Sequence, residues 1–285
     1  METSKIQEAA ETLWALWQSG SVLSALPEAV RPLSRLDGYA IQAQLEKRTA
    51  AALYGWKIAA TSAAGQQHIR VDGPLAGRIL QEQVLSAGSS LSLKNNRMSV
   101  AECEFAFKMG RSLGPRSKPY SQNEVMDCVA SLHPALEIPD SRFSAFETVG
   151  SAQLIADDAC AHLFALGPPA TCNWRVLNLA LHAVTATVYR GSNNVAKGSS
   201  SNAAHPQQQH QAAPEAHHGA GANVLGDPRI ALTWLVNELS SLGLTLGESM
   251  VVTTGTCITP IPVKAGDKVI ASFGVLGEIE MSFSA

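Results

Sequence analysis

Two hydrophobic periods follow one another along this chain. Over residues 6–19, apolar side chains recur about every 3.6 residues, which predicts a helix with one buried face. A weaker pattern of the same period, with Asp37 at its start, predicts a second helix over residues 36–53. From Gly55 onward, short apolar runs between glycines and prolines predict strands instead. The helices therefore come first and most strands follow.

The strand-rich part also contains two helix signals. Ser121 and Glu124 form a capping-box pattern. Apolar residues follow it at helical spacing: Val125, Met126, Val129 and Leu132. For the other helix, Asp227 is placed as the N-cap, Pro228 as the first helical residue and Gly243 just past the end.

The remaining patterns set the fold class. Strands are predicted over residues 99–109, 176–189, 250–254, 268–273 and 278–283. Residues 199–221 are rich in Ser, Ala, Gln and His, and they predict a mobile surface loop. This order predicts an α+β fold with mixed sheets. Residues 1–75 are expected to form a helical N-terminal region with the first strand, and residues 76–285 a catalytic mixed-β domain.

Composition narrows the functional classes. The 285 residues, 46% of them hydrophobic, suffice for a sizeable core. A net charge of −3 gives nothing to attract polyanions, so no nucleic-acid partner is expected. No signal peptide or membrane helix is predicted. Five cysteines, an odd number without a CxxC pair, argue against a disulfide framework and indicate the cytoplasm.

Acidic side chains interrupt the strand over residues 99–109. Because side chains alternate along a strand, Glu102 and Glu104 lie on one face, and Phe105 and Phe107 on the other. Two ionised carboxylates in an apolar strand repel each other and lose hydration, which costs several kcal/mol each when unpaired. A shared hard cation removes both penalties, and carboxylate oxygens suit Mg²⁺ or Mn²⁺.

A third acid, Glu137, stands in the apolar run Ala135-Leu136-Glu137-Ile138. Three protein carboxylates would leave positions on an octahedral ion for substrate and water. The alternative, with about equal weight from the pattern alone, is that all three acids lie on a solvated sheet face. Lys57 is likewise a charge in an apolar run, and it could orient a substrate carboxylate or serve as an acid or base, although taken alone a surface lysine is the better interpretation.

Taken in order, several segments resemble the fumarylacetoacetate hydrolase superfamily, closest to its 2-oxopent-4-enoate hydratases and 4-oxalocrotonate decarboxylases. The matching strings are Gly55-Trp56-Lys57-Ile58, Val71-Asp72-Gly73-Pro74, Glu102-Cys103-Glu104-Phe105-Ala106-Phe107, Ala135-Leu136-Glu137-Ile138 with Asp140-Ser141-Arg142, Leu225-Gly226-Asp227-Pro228, and Thr254-Gly255-Thr256 to Gly266-Asp267. Each string is weak alone, but the ordered set covers nearly the whole chain and favours the metal-site interpretation.

The resemblance implies a fold of mixed, mostly antiparallel rolled sheets and assigns roles to particular residues. Glu102, Glu104 and Glu137 match the metal ligands. Lys57 and Asp72 match residues near the substrate and are the catalytic candidates. Residues 254–256 (Thr254, Gly255 and Thr256) match the loop that receives the substrate carboxylate. The resemblance also implies a homo-oligomer, an Mg²⁺ or Mn²⁺ cofactor and a role in the breakdown of aromatic compounds.

Three departures from the family pattern bear on specificity. The usual Asp-Asn-Ala-Ser string reads Asp157-Asp158-Ala159-Cys160, which replaces an amide by an acid and a hydroxyl by a thiol. Cys160 is accordingly a candidate substrate contact. Residues 199–221 resemble an insertion, and Ala59-Ala60 stand where relatives often carry glycine.

The implied reaction is hydration of a 2-hydroxy-2,4-dienoate to a 4-hydroxy-2-oxo acid. The alternatives are decarboxylation of a 4-oxalocrotonate, then hydrolysis of an acylpyruvate, and finally a binding or scaffold protein without turnover. Hydrolases of the superfamily often use a His–Glu pair on an early helix, and no histidine precedes His68. The histidines within residues 199–221 have no spacing typical of a metal site.

Overall fold

The computed structural model describes residues 1–191 and 213–285. In these ranges the α-helices are α1 (Thr3–Ser19), α2 (Arg35–Gln42), α3 (Ala63–His68), α4 (Gln122–Met126), α5 (Ser151–Ala156) and α6 (Pro228–Ser241). The strands are β1 (Gly55–Ala59), β2 (Leu75–Ile79), β3 (Val84–Ser86), β4 (Ser90–Ser92), β5 (Val100–Met109), β6 (Val129–Ile138), β7 (Leu163–Leu166), β8 (Ala183–Tyr189), β9 (Glu215–Ala220), β10 (Val251–Thr256), β11 (Ile261–Pro262), β12 (Lys268–Ser272) and β13 (Glu278–Ser284).

The strands form two sheets. The larger has the order β2-β1-β10-β5-β6-β7-β3, with β11 paired to β5. The smaller has the order β4-β13-β12-β8-β9. Pairing is antiparallel except for β1 with β10, β3 with β7 and β4 with β13. The predicted α+β class with mixed, mostly antiparallel sheets is confirmed.

The main core lies between the two sheets. The face of β5 that carries Phe105 and Phe107 is fully buried. The ring of Phe105 meets that of Phe273, which follows β12 of the smaller sheet, edge to face at 5.1 Å. The opposite face of β5 is therefore the one available to a functional site.

The N-terminal helices form a second, smaller core. Ala9, Ala10 and Leu13 of α1 pack with Ile41 of α2 and Ala156 of α5. The next strand, β1, is an inner strand of the larger sheet between β2 and β10. The division at residue 75 remains a prediction. Among the described residues, no helix has the length and apolar character needed to cross a membrane.

Several element predictions are confirmed. Helix α6 begins at Pro228, and the carboxylate of Asp227 accepts a hydrogen bond from the backbone N–H of Arg229. The capping box of Ser121 and Glu124 is present at α4. The strands β5, β10, β12 and β13 lie where alternation predicts them.

Three helix and strand predictions are wrong in extent. The second helix ends at Gln42, with a 3-10 turn to Lys47, because no apolar face continues through the charged residues that follow. Val129 belongs to β6 rather than α4, since pairing with β5 outweighs helical spacing. The strand predicted over residues 176–189 starts only at Ala183, because Val176 precedes the alternating burial pattern and is 76% exposed.

The predicted loop over residues 199–221 divides in two. Residues 199–212 lie outside the described residues. Its C-terminal part is a strand, β9, whose backbone pairs with β8 along its length. Backbone pairing at a sheet edge thus orders a segment with few large apolar side chains.

Candidate active site

Two adjacent strands bring three carboxylates together. Glu102 and Glu104 lie on the same face of β5, and Glu102 is directly opposite Glu137 of β6. One carboxylate oxygen from each side chain lies within 4.8 Å of the others. Glu104 and Glu137 are buried, whereas Glu102 is half-buried and borders a cavity. The structure thus brings together the three predicted metal ligands and contradicts the solvated-face alternative.

A neighbouring strand fixes the orientation of Glu104. Its Oε2 accepts a hydrogen bond from the backbone N–H of Gly255 at 2.8 Å and another from the Thr253 hydroxyl. The register between β10 and β5 is irregular between Thr253 and Thr256, which turns this N–H toward the carboxylate. Thr253 is a site residue that the sequence reasoning missed, because nothing distinguishes it from the threonine after it.

Lys57 of β1 completes a cluster of four charges. Its Nζ lies 2.9 Å from Glu137 Oε1 and donates a hydrogen bond to the carbonyl oxygen of Ala159 at 3.0 Å. Burial alone would lower the pKa of Lys57, but the carboxylates, Glu137 foremost, raise it above its ordinary value. The ammonium group therefore remains charged at neutral pH, and the surface-lysine interpretation is wrong because Lys57 is 3% exposed.

The carboxylates carry more negative charge than Lys57 neutralises. Burial and the charge of Glu137 raise the pKa of Glu102 to about 7. Burial and both neighbouring carboxylates raise the pKa of Glu104 well above its ordinary value. Among the described residues, Glu104 Oε1 and Glu137 Oε2 are buried without a hydrogen-bond partner. Excess charge and unpartnered oxygens together fit a hard divalent cation.

A tight turn after α5 faces Lys57. Three successive residues without glycine, Asp158, Ala159 and Cys160, adopt left-handed backbone angles with φ of 55°, 51° and 62°. This turn presents the carbonyl oxygen of Ala159 to Lys57. Such angles are costly for residues with a Cβ and persist only where the surroundings enforce them. Close packing contributes, because a Cβ on Gly77 would come within 2.4 Å of the Asp158 carbonyl oxygen.

The two residues that depart from the family pattern are both in this turn. Burial raises the pKa of Asp158 to about 7, and its Oδ1 accepts a hydrogen bond from the backbone N–H of Arg78 at 2.6 Å. Burial also raises the pKa of Cys160 to about 12, so its thiol is neutral where it borders the cavity. Unlike Cys160, Asp158 does not line the cavity.

An open cavity of about 740 Å³ leads to the four charges. Lys57, Glu102 and Cys160 line its inner part, together with Gly255 and Thr256. A substrate entering this cavity therefore meets an ammonium group and a carboxylate cluster at one end.

Two predicted site residues are not in this cavity. Asp72 is exposed in the turn between α3 and β2, because the chain after α3 points it outward. Thr254 is fully buried, and its hydroxyl donates to the carbonyl oxygen of Phe105 on the opposite side of the strand. Strand alternation explains this placement, since Thr253 occupies the face of the carboxylates. The structure does not support a substrate contact by either side chain.

Known proteins share this fold and length. A 2-keto-4-pentenoate hydratase from Paraburkholderia xenovorans is 26% identical over 288 residues, with 100% of this chain and 97% of the relative aligned. A 2-hydroxyhexa-2,4-dienoate hydratase from Comamonas testosteroni is 24% identical, with 98% and 97% aligned. No family model matches the chain.

A solved structure has the same fold as this chain. The 4-oxalocrotonate decarboxylase from Pseudomonas putida G7, complexed with magnesium and adipate, superposes with a TM-score of 0.82. Its sequence is 18% identical, and the alignment covers 99% of this chain and 98% of that one. The full-length alignments and the shared fold agree with the ordered motifs. Over its whole length the chain is similar in sequence to proteins named as 2-keto-4-pentenoate hydratases, and it has the fold of a 4-oxalocrotonate decarboxylase.

Proposed function

We propose that this protein is a divalent-metal-dependent hydratase that converts a 2-hydroxy-2,4-dienoate into a 4-hydroxy-2-oxo acid. The observation that carries the proposal is the cluster of Glu102, Glu104, Glu137 and Lys57 at the inner end of the cavity. Full-length alignment with proteins named as hydratases supports the same reaction class.

The three glutamates would hold the metal, which we propose to be Mg²⁺ or Mn²⁺ because every donor is a carboxylate oxygen. The structural relative from Pseudomonas putida G7 contains magnesium, which agrees with a hard cation. When bound, the metal supplies Lewis-acid stabilisation of negative charge on the oxygen at C2.

Lys57 serves as a proton-bearing donor in this proposal. An ammonium group has three N–H bonds, and the contacts to Glu137 and to the Ala159 carbonyl oxygen use two of them. The third is left for a substrate oxygen. Because the pKa of Lys57 is raised, it donates a hydrogen bond or a proton at neutral pH and does not act as a base.

The remaining lining groups orient the substrate. Gly255 and Thr256 border the cavity, and the C1 carboxylate would lie beside them. In the structure the Gly255 N–H donates to Glu104 and the Thr256 hydroxyl donates to the Ile258 carbonyl oxygen, so these two groups position the site and Lys57 is the donor to the substrate. The reaction adds one water and releases nothing. The enol proton leaves, C5 gains a proton to give an enone, and water then places its hydroxyl at C4 and a proton at C3.

Loss of dienol absorbance upon addition of a 2-hydroxydienoate and Mg²⁺ or Mn²⁺ tests the proposal. We expect turnover that a chelator abolishes and excess metal restores. A Glu104→Gln variant should lose both metal binding and turnover, while Glu248→Gln, at an exposed position outside the cluster, should retain both. Release of CO₂ from 4-oxalocrotonate would make the protein a decarboxylase. Absence of turnover on dienoate, oxalocrotonate and acylpyruvate would refute an enzymatic role.

We further propose that the protein is a cytoplasmic homo-oligomer that acts in the breakdown of aromatic compounds. Five free cysteines, of which Cys103, Cys128 and Cys257 are buried, support a reducing compartment. Light scattering after gel filtration would measure the mass of the assembly, and a monomer would refute that part of the proposal.

A further inference from the structure

The cavity is larger than the reaction needs. Its volume of about 740 Å³ is within the range of roughly 300–1,000 Å³ typical of pockets for drug-sized ligands. A pentadienoate held by the carboxylate cluster would fill only the inner end. The outer part is therefore available to a substituent on the substrate.

The direction of the outer part follows from strand geometry. Side chains two residues apart on β5 share a face and are spaced about 6.6 Å along the strand. Glu102 and Val100 line the cavity, with Val100 in the direction away from Glu104. Met98, in the bend that precedes β5, lines it as well. A substrate bound by its carboxylate at Glu102 thus extends its far end past Val100 and Met98.

The walls of the outer part are apolar. Met98 and Val100 line it on the β5 side, together with Ile258 and Pro260. Ile69, just after α3, and Phe146 line the N-terminal side. Burial of an apolar substituent here is favourable because it removes apolar surface from water.

The walls of the outer part offer no lysine or arginine to a second carboxylate. Among the described lining residues, the only Lys or Arg is Lys57, which is already committed to the inner end. Ser62 Oγ caps α3, and the amide of Asn223 donates to the Cys257 carbonyl oxygen. His68 lies exposed with its ring beside that of Phe146. A carboxylate buried without a cationic partner is unfavourable, and the neutral hydroxyls of Thr61, Ser62 and Thr259 in the lining compensate it less than a cation would.

We infer that the substrate has a single carboxylate and, at the end of the chain farthest from it, a bulky apolar substituent such as an aryl ring. The inference rests on the proposed function and narrows its substrate class. The hydration remains the addition of one water at C3 and C4, with the substituent unchanged on C5.

Two measurements test it. The first compares kcat/KM for 2-hydroxypenta-2,4-dienoate, its 5-phenyl derivative, and the dicarboxylate 2-hydroxyhepta-2,4-dienedioate, which is not a tautomer of 4-oxalocrotonate. We expect at least a tenfold preference for the phenyl compound over the parent, and the weakest turnover with the dicarboxylate. A preference for the parent or for the dicarboxylate, with normal turnover, would overturn the inference and leave the proposed function intact.

The second measurement does not need turnover. Binding of the saturated analogues 2-oxopentanoate, 2-oxo-5-phenylpentanoate and 2-oxohexanedioate is measured by calorimetry with Mg²⁺ present. Tighter binding of the phenyl compound supports an apolar substituent on the substrate, whether or not the protein hydrates a dienoate. If the phenyl compound binds more tightly but no dienoate is hydrated, only the proposed function fails. Equal affinities for all three would overturn it.

A variant in the outer wall of the cavity tests where the apolar substituent binds. Met98→Arg places a cation in the outer wall, and it should reverse the order of affinity of the phenyl and dicarboxylate analogues. Arg97→Met, at the exposed neighbouring position outside the cavity, is the matched control and should leave the order unchanged. An unchanged order in Met98→Arg would place the substituent elsewhere and refute the assignment.

Discussion

Replacement of Asp158 by asparagine should stabilise the metal-free protein, and the gain should be larger at pH 8 than at pH 5. Asp158 is fully buried, its Oδ2 has no hydrogen-bond partner among the described residues, and burial raises its pKa to about 7. A raised carboxyl pKa means that the folded state holds the proton more tightly than the unfolded state. Stability from this group is therefore present at low pH and lost as pH rises through the folded-state pKa.

The magnitude follows from the two pKa values. The difference between the ordinary value of 3.8 and about 7 corresponds to about 4 kcal/mol in total at ~1.4 kcal/mol per pKa unit. Between pH 5 and pH 8, roughly 2.5 kcal/mol of this is lost. Asparagine keeps the oxygen that accepts from the Arg78 N–H and cannot ionise, so it avoids this loss.

Urea unfolding with a chelator at pH 5, 6.5 and 8 measures the effect. The titrations of Glu102 and Glu104 occur in both proteins and cancel in the difference between variant and wild type. Asp157→Asn is the matched contrast, because it removes the partner of the buried Arg142 and should destabilise by about 3–5 kcal/mol at every pH. A difference between Asp158→Asn and wild type that does not change with pH would refute the reasoning.

Three further predictions concern the site itself. Burial and neighbouring charge raise the pKa of Glu102 to about 7, so protons compete with the metal for this carboxylate. Calorimetry should therefore show that the affinity for Mg²⁺ or Mn²⁺ falls as the pH drops from 8 to 6. A constant affinity would contradict this prediction. Lys57→Met should lower kcat by about 10²–10⁴-fold, as steady-state kinetics would show, with a smaller change in metal affinity; unchanged kcat would exclude Lys57 from catalysis. Gly255→Ala should lower the melting temperature more than Gly150→Ala does. Both glycines have a positive φ, but only at Gly255 would an added Cβ meet Thr61 Oγ1, at 2.0 Å. Equal losses of thermal stability would contradict the clash.

The metal cluster was accessible from the sequence because its residues conflict with their surroundings. Acids at 102, 104 and 137 in apolar runs are costly unless something compensates them, and strand alternation fixes which face they share. The pairing of Glu102 with Glu137 across two strands was not accessible, since register depends on contacts distant in sequence.

Other features left no signal in the sequence. The left-handed turn at Asp158, Ala159 and Cys160 contains no glycine, and the packing around it sets its angles. Asp72 was misplaced because the family pattern gives an order of residues and not the direction of a turn. Thr254 rather than Thr253 was predicted to contact the substrate. The alternation of side chains along a strand does not show which of the two neighbours faces the site, because the strand is irregular at this end.

The pairing of β5 with β6 ties the chemistry to the folding of the larger sheet. A slip of one residue would carry both β5 acids into the dry layer beside Phe273 and bring two phenyl rings out in their place. Insertions and deletions in these strands would therefore remove catalysis and solubility in a single event. New substrate preferences should arise instead from point changes at the cavity wall, where the side chains of Met98 and Phe146 lie outside the paired strands.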